Sequence, residues 1–327
     1  MSEFGIATIW EAAARLNEKI VRTPLLRSPM LDDRAGCNLF VKAESLQLTG
    51  SFKIRGAMNK LLSMDEASRR AGVVAFSAGN HGQAIAAAAR AVGCDAIIVM
   101  PNTAPRIKVD NCRWWGAEVV IYDPHTENRV EVSQRLAEPR GMTVVPPFDD
   151  YDIMAGQGTC GLEIVEQLTE RHTVPDAILL NCSGGGLASG VSEAIRHSFP
   201  ETEIIIVEIR GYEKVARSLA TGVPQSNPSV PDTLLDGIAG PTTGARPLEV
   251  LQRHRASGMS VTDDDAMAGV AAAFKMLKLV LEPAGAASLG VVLSRANEFR
   301  GKNVVVVASG GNVDASIFAR ALDLPGA

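Results

Sequence analysis

Glycines that follow an apolar run and precede an amphipathic one can gather backbone N–H groups around an anion. Ser183-Gly184-Gly185-Gly186-Leu187 is placed in that way, between the apolar run 177–180 and the amphipathic run 188–199. Consecutive glycines let the amides converge, and the positive end of the following helix adds to the attraction. The segment reads as a phosphate site or as a tight turn that lets a helix pack close to a sheet. It is not a Walker loop, because no Gly-Lys-Ser/Thr follows it. Lys53, in Thr49-Gly50-Ser51-Phe52-Lys53-Ile54-Arg55-Gly56-Ala57, sits near a helix start on the edge of the apolar face that carries Ala57. A lysine there either snorkels to solvent or is half-buried, and burial lowers its pKa toward what an imine-forming amine needs. Two further turns, Ser77-Ala78-Gly79-Asn80-His81-Gly82 and Ser309-Gly310-Gly311-Asn312, and the acid Glu208 also fall at the ends of apolar runs. In open α/β sheets those carboxyl ends are where ligands bind.

Holding such residues takes a framework, and the chain alternates short β-branched apolar runs with longer amphipathic ones. The pattern predicts strands over 39–42, 72–76, 96–100, 118–122, 143–145, 177–180, 204–207 and 304–307. It predicts a helix over 51–64 with Ile54, Ala57, Met58, Leu61 and Leu62 on one face. A second, over 262–281, opens on Thr262-x-x-Asp265 and groups Ala266, Val270, Phe274 and Leu277. Strands that alternate with helices make parallel sheets, so the fold class is α/β. Residues 221–248 carry nine glycines and prolines, from Gly222 to Pro247, and read as a long ordered loop near a site. Gly156-Gln157-Gly158-Thr159-Cys160-Gly161 spells a dinucleotide fingerprint, but the polar stretch 148–152 precedes it and the next strand ends at Asn181 instead of an acid. That context speaks against a nicotinamide or flavin site.

Composition bounds the alternatives. At about 150 residues per domain, 327 residues suggest roughly two domains. With 46% apolar and 21% charged residues the chain can bury a large core, which excludes a disordered, collagen-like or disulfide-scaffold protein. The net charge of −5 argues against nucleic acid as a partner. Five cysteines without C-x-x-C spacing suit buried thiols in a reducing cytoplasm. The N-terminus has no signal-peptide pattern, and no uncharged apolar run is long enough for a membrane span. Five histidines occur without an H-E-x-x-H motif, so a catalytic zinc site is not expected.

The segments SFKIRGA (51–57), SAGNHGQA (77–84), SGGGL (183–187) and SGGNVD (309–314), in this order, resemble the pyridoxal-phosphate enzymes of the tryptophan synthase β-subunit fold type. Within that group the chain is similar to the threonine/serine dehydratase and serine racemase family. The resemblance is nearly end to end and takes in PNTAP (101–105), AGQGT (155–159), DGIAG (236–240) and LEPAGA (281–286). It implies two domains, each a mostly parallel twisted sheet flanked by helices, with the cofactor between them. Residues 1–71 and 150–327 would form the large domain, and 72–149 a small mobile one. It implies a homodimer, and the chain's ending soon after Ser309 implies no C-terminal regulatory domain.

The resemblance also assigns roles. Lys53 holds pyridoxal phosphate as an imine and, once freed, removes the Cα proton. Ser183, Gly184, Gly185, Gly186 and Leu187 cradle the phosphate; Ser183 stands where the family usually has a glycine, which requires a negative φ there. Asn80 bonds the ring hydroxyl, Ser309 faces the pyridine nitrogen, Gly237 lets backbone approach the ring, and Phe52 and Glu282 complete the cofactor contacts. Ser77, Asn80, His81 and Arg129 receive the substrate carboxylate. A hydroxyl opposite the pyridine nitrogen supports a neutral ring, a weaker electron sink, and favours loss of a β-leaving group. Racemases of the family place a second acid–base serine where this chain has Ala78, which moves no proton. The implied activity is elimination of water from a β-hydroxy amino acid such as L-threonine or L-serine, yielding a 2-oxo acid and ammonia. The alternatives are racemisation, hydroxyaspartate or phenylserine dehydration, β-replacement, or a non-catalytic ligand-binding protein. Metal-dependent relatives bind a divalent cation past the strand ending at Glu208, with ligands near Tyr212 and Lys214; a lysine there is expected to weaken or replace the metal by pairing with Glu208.

Overall fold

The computed structural model describes residues 4–77, 79–104 and 106–324. The strands are β1 (Leu25–Leu26), β2 (Asn38–Lys42), β3 (Val73–Phe76), β4 (Ala96–Pro101), β5 (Glu118–Tyr122), β6 (Thr143–Val144), β7 (Ala177–Asn181), β8 (Glu203–Ile209), β9 (Ser257–Val261) and β10 (Asn303–Val307). All eight predicted strands are present. β1 and β9 were not predicted, for a physical reason. β1 is two residues long, and β9, Ser-Gly-Met-Ser-Val, is an edge strand whose first residues are exposed, so neither carries an apolar run.

The strands form a six-stranded sheet in the order β1-β2-β10-β7-β8-β9 and a four-stranded sheet in the order β5-β4-β3-β6. Every pairing except β1–β2 is parallel. Parallel sheets are covered on both faces, and side chains alternate between the two. Leu39, Val41, Leu179, Ile205, Val304 and Val306 pack with the Pro283–Ser294 helix on one face of the large sheet. Phe40, Ile178, Leu180, Ile204, Ile206 and Val305 pack with the Gly186–Ser198 and Tyr151–Thr169 helices on the other.

The helix predicted over 51–64 is Lys53–Ser63. Its Ile54, Ala57, Met58 and Leu61 share a core with Val73, Ala75, Ile98 and the alanines of the Asn80–Val92 helix, so the helix that begins at Lys53 packs against the small sheet. The dinucleotide-like glycines lie inside the Tyr151–Thr169 helix and serve close packing. A Cβ on Gly156 would stand 2.5 Å from the Arg55 carbonyl oxygen, and one on Gly161 would stand 2.8 Å from the Ala194 Cβ. The helix predicted over 262–281 starts as expected, with a reciprocal Thr262–Asp265 capping box, but is α-helical only over Asp263–Ala272. It passes into a π-helical turn, Ala273–Leu277, and stops at Lys278, whose φ is 62°. The proline- and glycine-rich stretch is a loop from Gly222 to Gly244 that contains a short 3₁₀ turn, Asp236–Ile238; from Ala245 it is helical. All five cysteines are free and buried. No helix among the described residues is long and apolar enough to cross a membrane.

Candidate active site

The carboxyl ends of β3, β7 and β10 open on one cavity of about 320 Å³. Its wall contains Phe52, Lys53, Ser77, Asn80, His81, Arg129, Ser183, Gly184, Gly185, Gly186, Leu187, Gly237, Glu282 and Ser309. The structure therefore brings every residue singled out from the sequence for cofactor and substrate to one place. Ala78, whose lack of an acid–base group bears on racemisation, lies outside the described residues, as does Pro105 of the PNTAP segment.

Lys53 opens its helix behind Phe52 and donates from Nζ to the Pro147 carbonyl at 2.9 Å. Among the described residues no carboxylate pairs with the amine, and burial pushes its pKa down to about 8. His81 is buried, its Nε2 is 3.1 Å from the Val145 carbonyl, and burial with the neighbouring Lys53 charge pushes its pKa down to about 3. The ring is neutral, its Nε2–H donates to that carbonyl, and Nδ1 has no partner among the described residues. Asn80 donates from Nδ2 to Glu282 Oε1 at 2.6 Å and accepts from Asn312 Nδ2 at 2.8 Å, which leaves one amide hydrogen free. Burial, then the charge of Asp236, pushes the Glu282 carboxyl up to about 7, against Asn80 and Lys108. Arg129 stands exposed at the cavity edge with its guanidinium 5.3 Å from the Phe76 ring centroid.

The glycine turn caps the Gly186–Ser198 helix without any side-chain hydrogen bond, so its first-turn N–H groups are left for a ligand. Each glycine has a steric reason. A Cβ on Gly184 would stand 2.4 Å from the Phe148 ring, and Gly185 has a φ of 100° with Pro247 at 2.7 Å from a Cβ position. Ser183 has no positive φ, which meets the condition set for it by the sequence. Its Oγ accepts from Gly240 N at 3.2 Å and so ties the long loop to the turn. Gly185→Ala is expected to cost about 1–3 kcal/mol in left-handed strain and to weaken cofactor retention at least tenfold. Thermal melting and a cofactor titration of the variant check this, and wild-type values in both would refute it.

Sequence reasoning missed several cavity residues. Lys108 donates to Asp236 Oδ2 at 2.8 Å, which links the Arg106–Trp114 helix to the Asp236–Ile238 turn across the mouth. Phe148 and Pro147 also line the cavity, and Asn181, the last residue of β7, is part of its wall. Asp236 stood in the DGIAG segment and was legible; Lys108 looked like any other helix lysine. Away from the cavity, His254 Nε2 lies 2.7 Å from Glu193 Oε2 in a half-buried pair.

Glu208 lies outside this cavity, within β8. Its carboxylate accepts from Val215 N and Ala216 N, each at 2.9 Å, and pairs with the buried Lys214 ammonium at 3.6 Å. Among the described residues no three His, Cys, Asp or Glu side chains group as metal ligands.

The family model for pyridoxal-phosphate dependent enzymes matches residues 16–310. The chain is 39% identical over 313 residues to the L-threo-3-hydroxyaspartate ammonia-lyase of Pseudomonas sp, covering 95% of this chain and 96% of that one. It is 38% identical to the L-threonine ammonia-lyase of Thermotoga maritima, over 96% of this chain and 77% of the relative. Among solved structures it is similar to maize serine racemase, with a TM-score of 0.90 and 34% identity over 97% of this chain and 96% of the other.

Proposed function

The chain belongs to the pyridoxal-phosphate dependent enzymes, and from that premise we propose that it is an ammonia-lyase eliminating water from a β-hydroxy amino acid such as L-threonine or L-serine. The observation that carries this reading is the Lys53 amine, with a pKa of about 8, in the same cavity as the glycine turn and Ser309. The donor set fits the cofactor: an enclosed amine for its aldehyde, unpaired helix N–H groups for its phosphate, a spare Asn80 hydrogen for its ring hydroxyl and a hydroxyl for its ring nitrogen.

When bound, pyridoxal phosphate supplies an aldehyde that takes up amines and a ring that draws electron density from the carbon beside the amino group. Lys53 supplies the amine that holds the cofactor and later the base for the Cα proton. Its depressed pKa keeps a neutral fraction available near neutral pH. Gly184, Gly185, Gly186 and Leu187 offer backbone N–H groups to the phosphate, and Ser183, already accepting from Gly240, keeps its own hydrogen for it. Arg129 pairs with no acid among the described residues and is available, with Ser77 and His81, to the substrate carboxylate. Phe52 and Gly237 line the same cavity and would contact the ring. Residues 72–149 close on the unit formed by 1–71 and 150–327, and the Lys108–Asp236 pair helps exclude water.

Purified enzyme with L-serine, L-threonine, 3-hydroxyaspartate and phenylserine, assayed for ammonia and 2-oxo acid, tests the reading and selects the substrate. Faster formation of D-amino acid than of ammonia would overturn it in favour of racemisation, against which Ala78 offers no second acid–base group. We place the enzyme in the cytoplasm on its five free thiols. Its partners are an amino-acid substrate and a second copy of itself, without nucleic acid or membrane; sedimentation tests the homodimer. The buried Lys214 ammonium 3.6 Å from Glu208 supports the reading that a lysine weakens or replaces a divalent cation there. Chelator treatment is therefore expected to leave activity and melting temperature unchanged, and losses that Mg²⁺ or Ca²⁺ restores would refute this.

A further inference from the structure

A hydroxyl beside a ring nitrogen can donate to it or accept from it, and the neighbours of Ser309 decide which. Asn181, only 5% exposed, ends β7 next to it. Asn181 Oδ1 accepts from the Ser288 backbone N at 2.7 Å; a backbone N–H only donates, so the amide oxygen is fixed on that side. Nδ2 then shares its two hydrogens among three acceptors, the Gly285 carbonyl at 2.9 Å, which also accepts from Ser309 N at 3.2 Å, the Val307 carbonyl at 3.2 Å and Ser309 Oγ at 3.0 Å. An amide nitrogen has hydrogens and no accepting lone pair, so Ser309 Oγ accepts. Its own hydrogen is turned away from Asn181, and no acceptor among the described residues takes it. Ser309 is 6% exposed and forms part of the cavity wall, so that hydrogen has only the cavity to serve.

We propose that Asn181 is a positioning residue that makes Ser309 an obligate donor and thereby holds the cofactor's ring nitrogen unprotonated. This rests on the function proposed above. A protonated ring nitrogen would need Ser309 to accept a second hydrogen bond and would strand the serine hydrogen in a buried wall. An unprotonated nitrogen accepts that hydrogen, so neither the serine hydroxyl nor the ring nitrogen is left without a partner. Without the Asn181 amide, the Val307 carbonyl loses this donor and the Gly285 carbonyl keeps only the Ser309 backbone N–H at 3.2 Å, so Ser309 can turn its hydrogen to them and accept from the ring instead.

The test is nitrogen NMR of the holoenzyme loaded with pyridoxal phosphate carrying the heavy nitrogen isotope in its ring, at one neutral pH so that Lys53 and Glu282 keep the same charge states. The wild type is expected to give the resonance of an unprotonated, hydrogen-bonded nitrogen. Asn181→Ala is expected to raise the ratio of protonated to unprotonated ring about tenfold, and Asn181→Thr, kept in case the alanine variant fails to fold, to move it in the same direction by less. In a Ser309→Ala background the Asn181 substitution should add nothing, which a merely structural role for Asn181 would not produce. An unchanged resonance in either folded Asn181 variant, or a shift that persists without the Ser309 hydroxyl, overturns the proposal. If the wild type takes up no cofactor, the functional reading falls with it; if it does and the resonance ignores Asn181, only the present inference falls.

Discussion

Lys53→Ala is expected to lower the rate of ammonia release by about 10⁴-fold and to abolish the visible absorbance of the cofactor-loaded protein. Of the two lysines in the cavity wall, Lys53 is the one with no acid partner among the described residues, and its amine donates to the Pro147 carbonyl. Lys108 is held by Asp236, and Arg129 stands exposed at the cavity edge. Borohydride treatment of the wild type should fix the cofactor on the peptide that contains Lys53. Retained absorbance in the variant, or fixation on another lysine, would sink the assignment. The variant should not unfold, because burying a lysine whose pKa falls from 10.5 to about 8 opposes folding. The sign follows from proton linkage. Between pH 8 and 10.5 the unfolded chain binds a proton at this site that the native chain does not, so wild-type apoprotein gains stability across that window. Melting of the two apoproteins should therefore favour Lys53→Ala at neutral pH, with a gap that closes as the pH rises toward 10.

The legible part of this protein was the part written in runs. Val304–Val307, Ile204–Val207 and Ala177–Leu180 are continuous apolar stretches because their strands are covered on both faces, and each became a strand extended by only a few residues. The site was legible through glycine and serine at strand ends, where backbone must approach a ligand. What escaped was tertiary. Asn181 reads as the polar last residue of a strand, and only the return of Gly285 and Ser309 beside it makes it a hub. Lys108 and Asp236 are 128 positions apart, and no local pattern joins them. The glycines of 156–161 show the converse, in which a ligand-like motif serves helix packing. Phe274, grouped with the core by its spacing, is 39% exposed and stacks edge-to-face on Phe318, because the helix winds into its π turn there.

The largest expected effect on stability comes from two residues beyond Lys53. Arg55 and Glu44 both have 0% exposure, and Arg55 forks onto Glu44 with two bonds of 2.7 Å. It also reaches Glu163 at 2.7 and 2.9 Å, while Lys42 donates to Glu163 at 2.6 Å and to the Thr23 carbonyl at 2.7 Å. Two cations thus balance two carboxylates, and the network clamps the first turn of the Lys53–Ser63 helix to the Tyr151–Thr169 helix. Replacing such a network by apolar side chains throughout could be neutral, but removing one member leaves a buried charge unpaired. Arg55→Met is therefore expected to cost about 3–5 kcal/mol. Arg55→Lys restores the charge without the planar fork and should recover only part of the loss. Acid narrows the gap. Burial alone would push the Glu44 carboxyl up, but the charge and hydrogen bonds of Arg55, then Lys42, hold it below its ordinary 4.5, so its stabilising contribution is present above that pH and lost as the pH falls through the native value. In Arg55→Met burial is less opposed, the carboxyl rises, and the penalty paid at neutral pH disappears once both states are protonated. Denaturant melts should show wild type and variant far apart at pH 7 and converging below pH 4.5, the ordinary value for this carboxyl. A gap that stays constant or widens in acid would show that Arg55 acts through packing and not as the counter-charge of Glu44.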